Sequence, residues 1–254
     1  SSAASDVYKR QLYSSVLKTV GEPYTNKTID LRTNEVHDIT VEPATDEEVF
    51  NTVKVMGGED WKDWITALKN ADAIEPDAIT VAYSYIGPVL THPMYRDGSI
   101  GKAKDHLFKT AKEITEEFNG IRAYLSVNKA LVTQSSAAIP IVPLYISILY
   151  KVMKAKGCHE GCIEQMYRLF NQKLFGEKPV LDAEGRIRLD DLELQDDIQE
   201  EVTKLWSDIS TEKIAECADI DGYWEEFYKL FGFKVTGVDY DAETDVEVKI
   251  DSID

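Results

Sequence analysis

Tyr95 and Lys104, nine positions apart, are the residues of this chain whose types and spacing could do acid chemistry on a carbonyl group. A phenol is a poor proton donor or acceptor near neutral pH, with a pKa of about 10, and a neighbouring ammonium favours its ionised form. Such a pair suits a group that must stabilise an enolate as its charge develops. Tyr85 stands ten residues before Tyr95, at the end of a β-branched and aromatic run, residues 78–85, that reads as a strand closed by Gly87 and Pro88. Both tyrosines therefore fall past the carboxyl end of a strand, where open α/β sheets place their ligands. Spacing alone decides little, because the chain has 13 tyrosines.

The elements that must position this pair can be read along the chain. Residues 28–41 alternate in polarity on both sides of Thr33 and Asn34, a β-hairpin pattern. Thr45 with Glu48 predicts a capping-box start for a helix that Gly57 and Gly58 end, and Glu59 opens a second helix with Trp61, Trp64, Ile65 and Leu68 on one apolar face. Ser99 is placed to cap a helix striped by Leu107, Phe108, Ala111 and Ile114 and stopped at Gly120, with Lys104 on its second turn. A second strand at residues 121–127 completes a strand-helix-strand unit long enough for parallel pairing. A polar loop at residues 133–136, an apolar helix at 143–156, a helix at 159–175 and a charged loop at 177–192 follow. Helices at 195–209 and 211–231, the second broken near Asp221 and Gly222, lead to residues 233–241 and 246–250, which pair as short strands or wrap as a tail.

A net charge of -18 and the lack of any Lys/Arg run exclude a nucleic-acid or anionic-membrane binder. The 14-residue apolar run at 137–150 carries two prolines and is too short to span a bilayer. Three cysteines, Cys158, Cys162 and Cys217, form no disulfide framework, which fits a reducing cytosol. The segment 158–162 supplies at most three soft ligands and reads as helix packing rather than a metal site. Residues 1–11 carry no signal peptide and look non-native or disordered, and the chain is expected to be a piece of a longer protein. His92 and His159 read as structural.

Several motifs in one order resemble the NADH-dependent trans-2-enoyl-CoA reductases and the related V-type enoyl-acyl-carrier-protein reductases. They are Val-Glu-Pro-Ala-Thr at 41–45, Val-Met-Gly-Gly-Glu-Asp-Trp at 55–61, the Tyr95 to Lys104 segment, and the stretches 132–140, 159–165 and 237–241. The resemblance runs from about Leu12 to the C-terminus. It implies an α/β fold, a partial Rossmann-type, short-chain-dehydrogenase-like unit with a β-hairpin and helical substrate-binding additions. It implies hydride transfer from NADH to an enoyl thioester, with Tyr95 as catalytic donor and Lys104 supporting it and binding the cofactor. Tyr85 would contact the substrate, Leu131, Val132 and Thr133 would meet the cofactor's nicotinamide half, and residues 137–150 would form either a lid over the acyl chain or a core helix.

The departure from the family is an absence. No Gly-rich phosphate loop follows a strand, and Gly98 with Gly101 lacks the third glycine and lies too far from its strand to substitute. The expected organisation is thus residues 12–254 as the C-terminal catalytic and substrate-binding part of a monomeric, cytoplasmic, single-domain reductase. The expected substrate is a short trans-2-enoyl-CoA such as crotonyl-CoA, in fatty-acid or butyrate-type metabolism, with enoyl-acyl-carrier protein as the alternative. An inactive fragment that only binds an acyl group is the reading from another class.

Overall fold

The computed structural model describes residues 12–245 and residue 247. A β-hairpin comes first: β1 (Tyr24–Asp30) and β2 (Glu35–Val41) pair antiparallel from Tyr24 opposite Val41 to Asp30 opposite Glu35. Asn34 makes the turn at φ 60°, a left-handed conformation that asparagine tolerates because its short polar side chain bonds locally. The hairpin begins four residues earlier than the alternation predicts.

Helix α1 (Asp46–Met56) opens on the expected capping box, with Thr45 accepting from the Glu48 amide at 3.2 Å and Glu48 accepting from the Thr45 amide at 2.9 Å. Helix α2 (Glu59–Asn70) buries Ile65 and half-buries Trp61, but Trp64 is exposed, so the apolar stripe is narrower than its sequence suggests. Strand β3 (Ile79–Ser84), helix α3 (Ser99–Glu117) and strand β4 (Arg122–Val127) form the predicted parallel unit, in register from Ile79 opposite Arg122 to Ser84 opposite Val127.

One expectation for α3 is corrected. Gly98 holds the cap position, and Ser99 is the first helical residue. The Ser99 hydroxyl donates to the Val16 carbonyl at 2.6 Å and accepts from the Lys18 amide at 3.2 Å, so it ties the N-terminal segment to the helix instead of capping it. Gly98 and Gly101 serve close packing: a Cβ at Gly101 would run into the Arg96 carbonyl, and one at Gly98 into those of Met94 and Lys18. That is why the Tyr95 loop folds so tightly onto the start of α3.

After β4 come α4 (Gln134–Ala137), α5 (Val142–Ala155) and α6 (Cys162–Arg168), the last continuing as a π-helical segment over Leu169–Leu174. The charged stretch read as a loop holds a third strand, β5 (Ile187–Arg188), parallel to β4 through Ser126 opposite Ile187. It is two residues long, between Arg186 and Leu189 in a charged stretch, so neither length nor composition marks it. The sheet order is β3-β4-β5, with β4 central.

Helices α7 (Asp196–Asp208), α8 (Ile214–Cys217) and α9 (Ile220–Lys229) follow. The break expected near Asp221 falls earlier, at Ala218 and Asp219, where the Asp219 amide leaves the helix to donate to the Ser147 carbonyl at 2.9 Å. Residues 233–241 form turns, not a strand, and the partner proposed for them falls mainly outside the described residues.

The main core is built around α5. Leu144, Tyr145, Ile146, Ile148, Leu149 and Tyr150 are at most 1% exposed, packed between the hairpin, α7 and α9. A helix apolar on every side must be enclosed on every side. Of the two alternatives for residues 137–150, this packing is that of a core helix. Among the described residues no helix is long and apolar enough to cross a membrane.

Candidate active site

The carboxyl ends of β3, β4 and β5 converge on one region, because parallel strands all point the same way. The chain leaving β3 delivers Tyr85; that leaving β4 delivers Lys129 and Ala130; that leaving β5 delivers Glu193. Tyr95 arrives on a tight turn after the short 3-10 segment Val89–Thr91, its amide donating to the Thr91 carbonyl at 2.9 Å. Lys104 comes from the second turn of α3.

Three of the residues singled out from the sequence meet here. The rings of Tyr85 and Tyr95 pack edge to face, centroids 4.8 Å apart and planes at 89°. The Lys104 ammonium lies 4.7 Å from the Tyr95 ring centroid and 5.6 Å from that of Tyr85, and it donates to the Tyr85 carbonyl. Tyr95 is 6% exposed, yet its hydroxyl makes no hydrogen bond among the described residues. It is the one phenol of the cluster left for something else to engage.

The electrostatics run against the simple expectation for a tyrosine-lysine pair. Burial, reinforced by the charge of Glu193, pushes the Tyr95 phenol up from its ordinary value rather than down. Burial likewise draws Lys104 down to about 7. Desolvation disfavours both charged forms and outweighs their mutual attraction, since the ammonium sits over the ring and not at the oxygen. Tyr95 is thus a neutral donor at physiological pH.

Glu193, Tyr145 and Lys129 belong to the same cluster, and reading the sequence missed all three. Glu193 is wholly buried and accepts from the Tyr85 hydroxyl at 2.9 Å and the Tyr145 hydroxyl at 2.6 Å, both at Oε1, and from the Ala130 amide at 2.7 Å at Oε2. Burial raises its pKa, while the bonds from Tyr145 and Ala130 and the charge of Lys129 oppose that rise. Lys129 is 1% exposed, donates to the Ala130 carbonyl at 2.9 Å, and is lowered by burial to about 8. The available signal was Leu192 and Leu194 flanking Glu193 inside an acidic run.

Leu131, Val132 and Thr133 follow directly in the β4 exit. The Val132 amide donates to the Tyr150 hydroxyl at 3.2 Å, and the Thr133 amide donates to Ser136 Oγ at 2.8 Å. The exposed Thr133 accepts from the Ser136 amide at 2.9 Å and caps α4, which leaves its hydroxyl proton free to donate. His92 bonds the Gly87 carbonyl at 3.1 Å, and His159 packs edge-on against Tyr150 with centroids 4.4 Å apart. Neither touches the tyrosine pair.

Helix N-termini, the usual seats of phosphate, are occupied by acids in the C-terminal third. Asp219 accepts from the Gly222 amide at 2.9 Å at the start of α9, and Asp196 and Asp197 fill the first turn of α7.

Comparison with known proteins agrees with this architecture. A family model described as the trans-2-enoyl-CoA reductase catalytic region matches residues 1–175, and one described as an enoyl reductase FAD binding domain matches residues 181–244. The trans-2-enoyl-CoA reductase [NADH] of Clostridium perfringens (strain ATCC 13124) is 55% identical over 95% of this chain, and the enoyl-[acyl-carrier-protein] reductase [NADH] of Flavobacterium johnsoniae is 52% identical over 95%. The chain spans 62% of the length of each of these relatives. The crystal structure of the Clostridium acetobutulicum trans-2-enoyl-CoA reductase in complex with NAD superposes with a TM-score of 0.87 at 47% identity, covering 94% of this chain and 63% of that one. The Treponema denticola trans-2-enoyl-CoA reductase in complex with NAD gives 0.87 at 48%, covering 92% and 59%. With a catalytic-region match over more than half its length and a parallel βαβ unit that gathers Tyr85, Tyr95 and Lys104, this chain belongs to the trans-2-enoyl-CoA reductase family.

Proposed function

We propose that this chain is the catalytic and substrate-binding portion of an NADH-dependent enoyl-thioester reductase, acting on a short trans-2-enoyl-CoA such as crotonyl-CoA. The observation that carries the reading is Tyr95, a buried and neutral side chain whose hydroxyl has no hydrogen-bond partner among the described residues, beside Lys104 at the carboxyl ends of a parallel sheet. NADH, when bound, supplies hydride to the β-carbon of the double bond. The chain's own task is at the thioester oxygen, where negative charge gathers as the double bond is reduced.

Tyr95 donates a hydrogen bond to that oxygen, strengthening as the charge grows, and so favours the transition state over the ground state. Lys104, in its protonated form, would stabilise the same charge from across the Tyr95 ring and would help hold the nicotinamide half of the cofactor. Leu131, Val132 and Thr133 would line that half, with the Thr133 hydroxyl as the free donor. The residues present fit the nicotinamide side only, because none of the described strands leads into a Gly-rich turn. A flavin is not part of this reading: the acids at the starts of α7 and α9 would repel a dinucleotide's pyrophosphate.

The relatives' names leave the carrier open between CoA and acyl-carrier protein. We read the protein as a cytoplasmic monomer. The test is to express the full-length protein that contains this chain and follow NADH oxidation with crotonyl-CoA and with crotonyl-acyl-carrier protein. Faster turnover of the CoA ester supports the proposal, faster turnover of the carrier-protein ester reassigns the substrate, and turnover of neither overturns it.

A further inference from the structure

We propose that Glu193 is a positioning residue of the reductase site: its buried carboxylate anchors the Tyr85 hydroxyl, and Tyr85 in turn sets where Lys104 and Tyr95 stand. The inference rests on the reductase reading above.

A carboxylate taken out of water is tolerated only when its oxygens are satisfied. Glu193 meets that condition with donors from three elements, the ends of β3 and β4 and helix α5. All three are donors, the pattern that an ionised carboxyl, an acceptor only, requires. Its backbone is also held: the Glu193 carbonyl accepts from Gln199 Nε2 at 2.7 Å. The strand end that presents it is clamped on both sides. Arg168 bonds Asp191 at 2.6 Å and the Leu189 carbonyl at 2.7 Å, and Arg188 bonds both oxygens of the buried Asp190, at 2.7 Å and 2.6 Å.

Tyr85 is gripped at three separate points. Its hydroxyl is on Glu193, its carbonyl receives Lys104, and its ring edge meets Tyr95. Lys104 has no other hydrogen-bond acceptor among the described residues, so the place of its ammonium depends on where Tyr85 is held. The chain of contacts Glu193, Tyr85, Lys104 and Tyr95 ends at the one free hydroxyl. The Tyr85 hydroxyl is consequently spent on the scaffold, and its role differs from the substrate contact that the resemblance implies.

The test uses the full-length enzyme with crotonyl-CoA and NADH, comparing Glu193→Gln, Tyr85→Phe and the double variant, with Tyr95→Phe in parallel. Glutamine keeps the shape but cannot accept all three donors. Each single change is expected to lower kcat by about ten- to a hundred-fold, the scale of a small misplacement of reacting groups, with KM for the enoyl thioester unchanged. The double variant should be no worse than the worse single, because the two residues act as one unit. A lower unfolding midpoint with normal kcat per folded molecule would make Glu193 purely structural and overturn the proposal, as would losses that multiply in the double variant. If Glu193→Gln does not fold, Tyr85→Phe decides alone: a raised KM with intact kcat puts its hydroxyl on the substrate and overturns the proposal. An impaired Tyr95→Phe beside normal Glu193→Gln and Tyr85→Phe rejects only the positioning role, a fully active Tyr95→Phe rejects Tyr95 as the donor, and an unsubstituted enzyme that turns over no crotonyl-CoA rejects the reductase reading itself.

Discussion

The Lys104 ammonium stands over the face of the Tyr95 ring, 4.7 Å from its centroid, and bonds the Tyr85 carbonyl. A cation on a ring face is attracted by the ring's quadrupole without ionising the hydroxyl. Burial keeps Tyr95 a neutral donor, and the bond to the Tyr85 carbonyl ties Lys104 to the exit of β3.

The same burial makes a prediction about pH. Lys104 titrates at about 7 in the fold against an ordinary value near 10.5, so between those limits the unfolded chain holds a proton that the folded chain does not. Stability therefore rises with pH across that window. Replacing Lys104 with Met should flatten the rise, and urea midpoints measured at several pH values from 6 to about 9 check it, short of tyrosine ionisation in the unfolded chain. An equal slope in both proteins contradicts the burial account.

His159 predicts the opposite end of the scale. Burial, followed by the charge of Lys129, lowers it from 6.5 to about 4, and neither ring nitrogen has a hydrogen-bond partner. The folded protein keeps this imidazole neutral while the unfolded chain protonates it, so stability should be lost as pH falls from 6.5 to 4. His159→Phe should remove that part of the acid sensitivity, as seen in thermal midpoints across the window.

Much of the site could be read in the sequence, and the reason is locality. Tyr85, Tyr95 and Lys104 lie within 20 residues of one another on a strand-helix-strand unit whose periodicity is plain. Thr45 with Glu48 marked a helix start for the same reason. Glu193 was hidden because it reaches Tyr85 across 108 positions of chain and sits in an acidic stretch that looks solvated. Tyr145 was hidden inside an apolar run, where a phenol reads as core. The direction of the Tyr95 shift was misjudged because desolvation is a property of the packed site and not of the pair.

Cofactor binding by this chain alone should be weak. Lys104 and Thr133 are the residues proposed for the nicotinamide half, but the described strands feed no Gly-rich turn that would hold a pyrophosphate. Titrating NADH into the isolated chain should give no saturable fluorescence enhancement in the micromolar range. Saturation there would require a phosphate seat elsewhere in these residues.

The most direct measurement of the central claim is turnover of crotonyl-CoA by Tyr95→Phe in the full-length enzyme, with folding verified by circular dichroism. Phenylalanine keeps the edge-to-face contact with Tyr85 and the ring under Lys104, and removes only the hydroxyl. Losing one preorganised donor to a developing oxyanion costs on the order of 10²–10³ in turnover. We expect a fall in kcat of that size with little change in KM, the signature of an interaction made in the transition state. A folded Tyr95→Phe enzyme with near-normal turnover would contradict the assignment of Tyr95 as the donor.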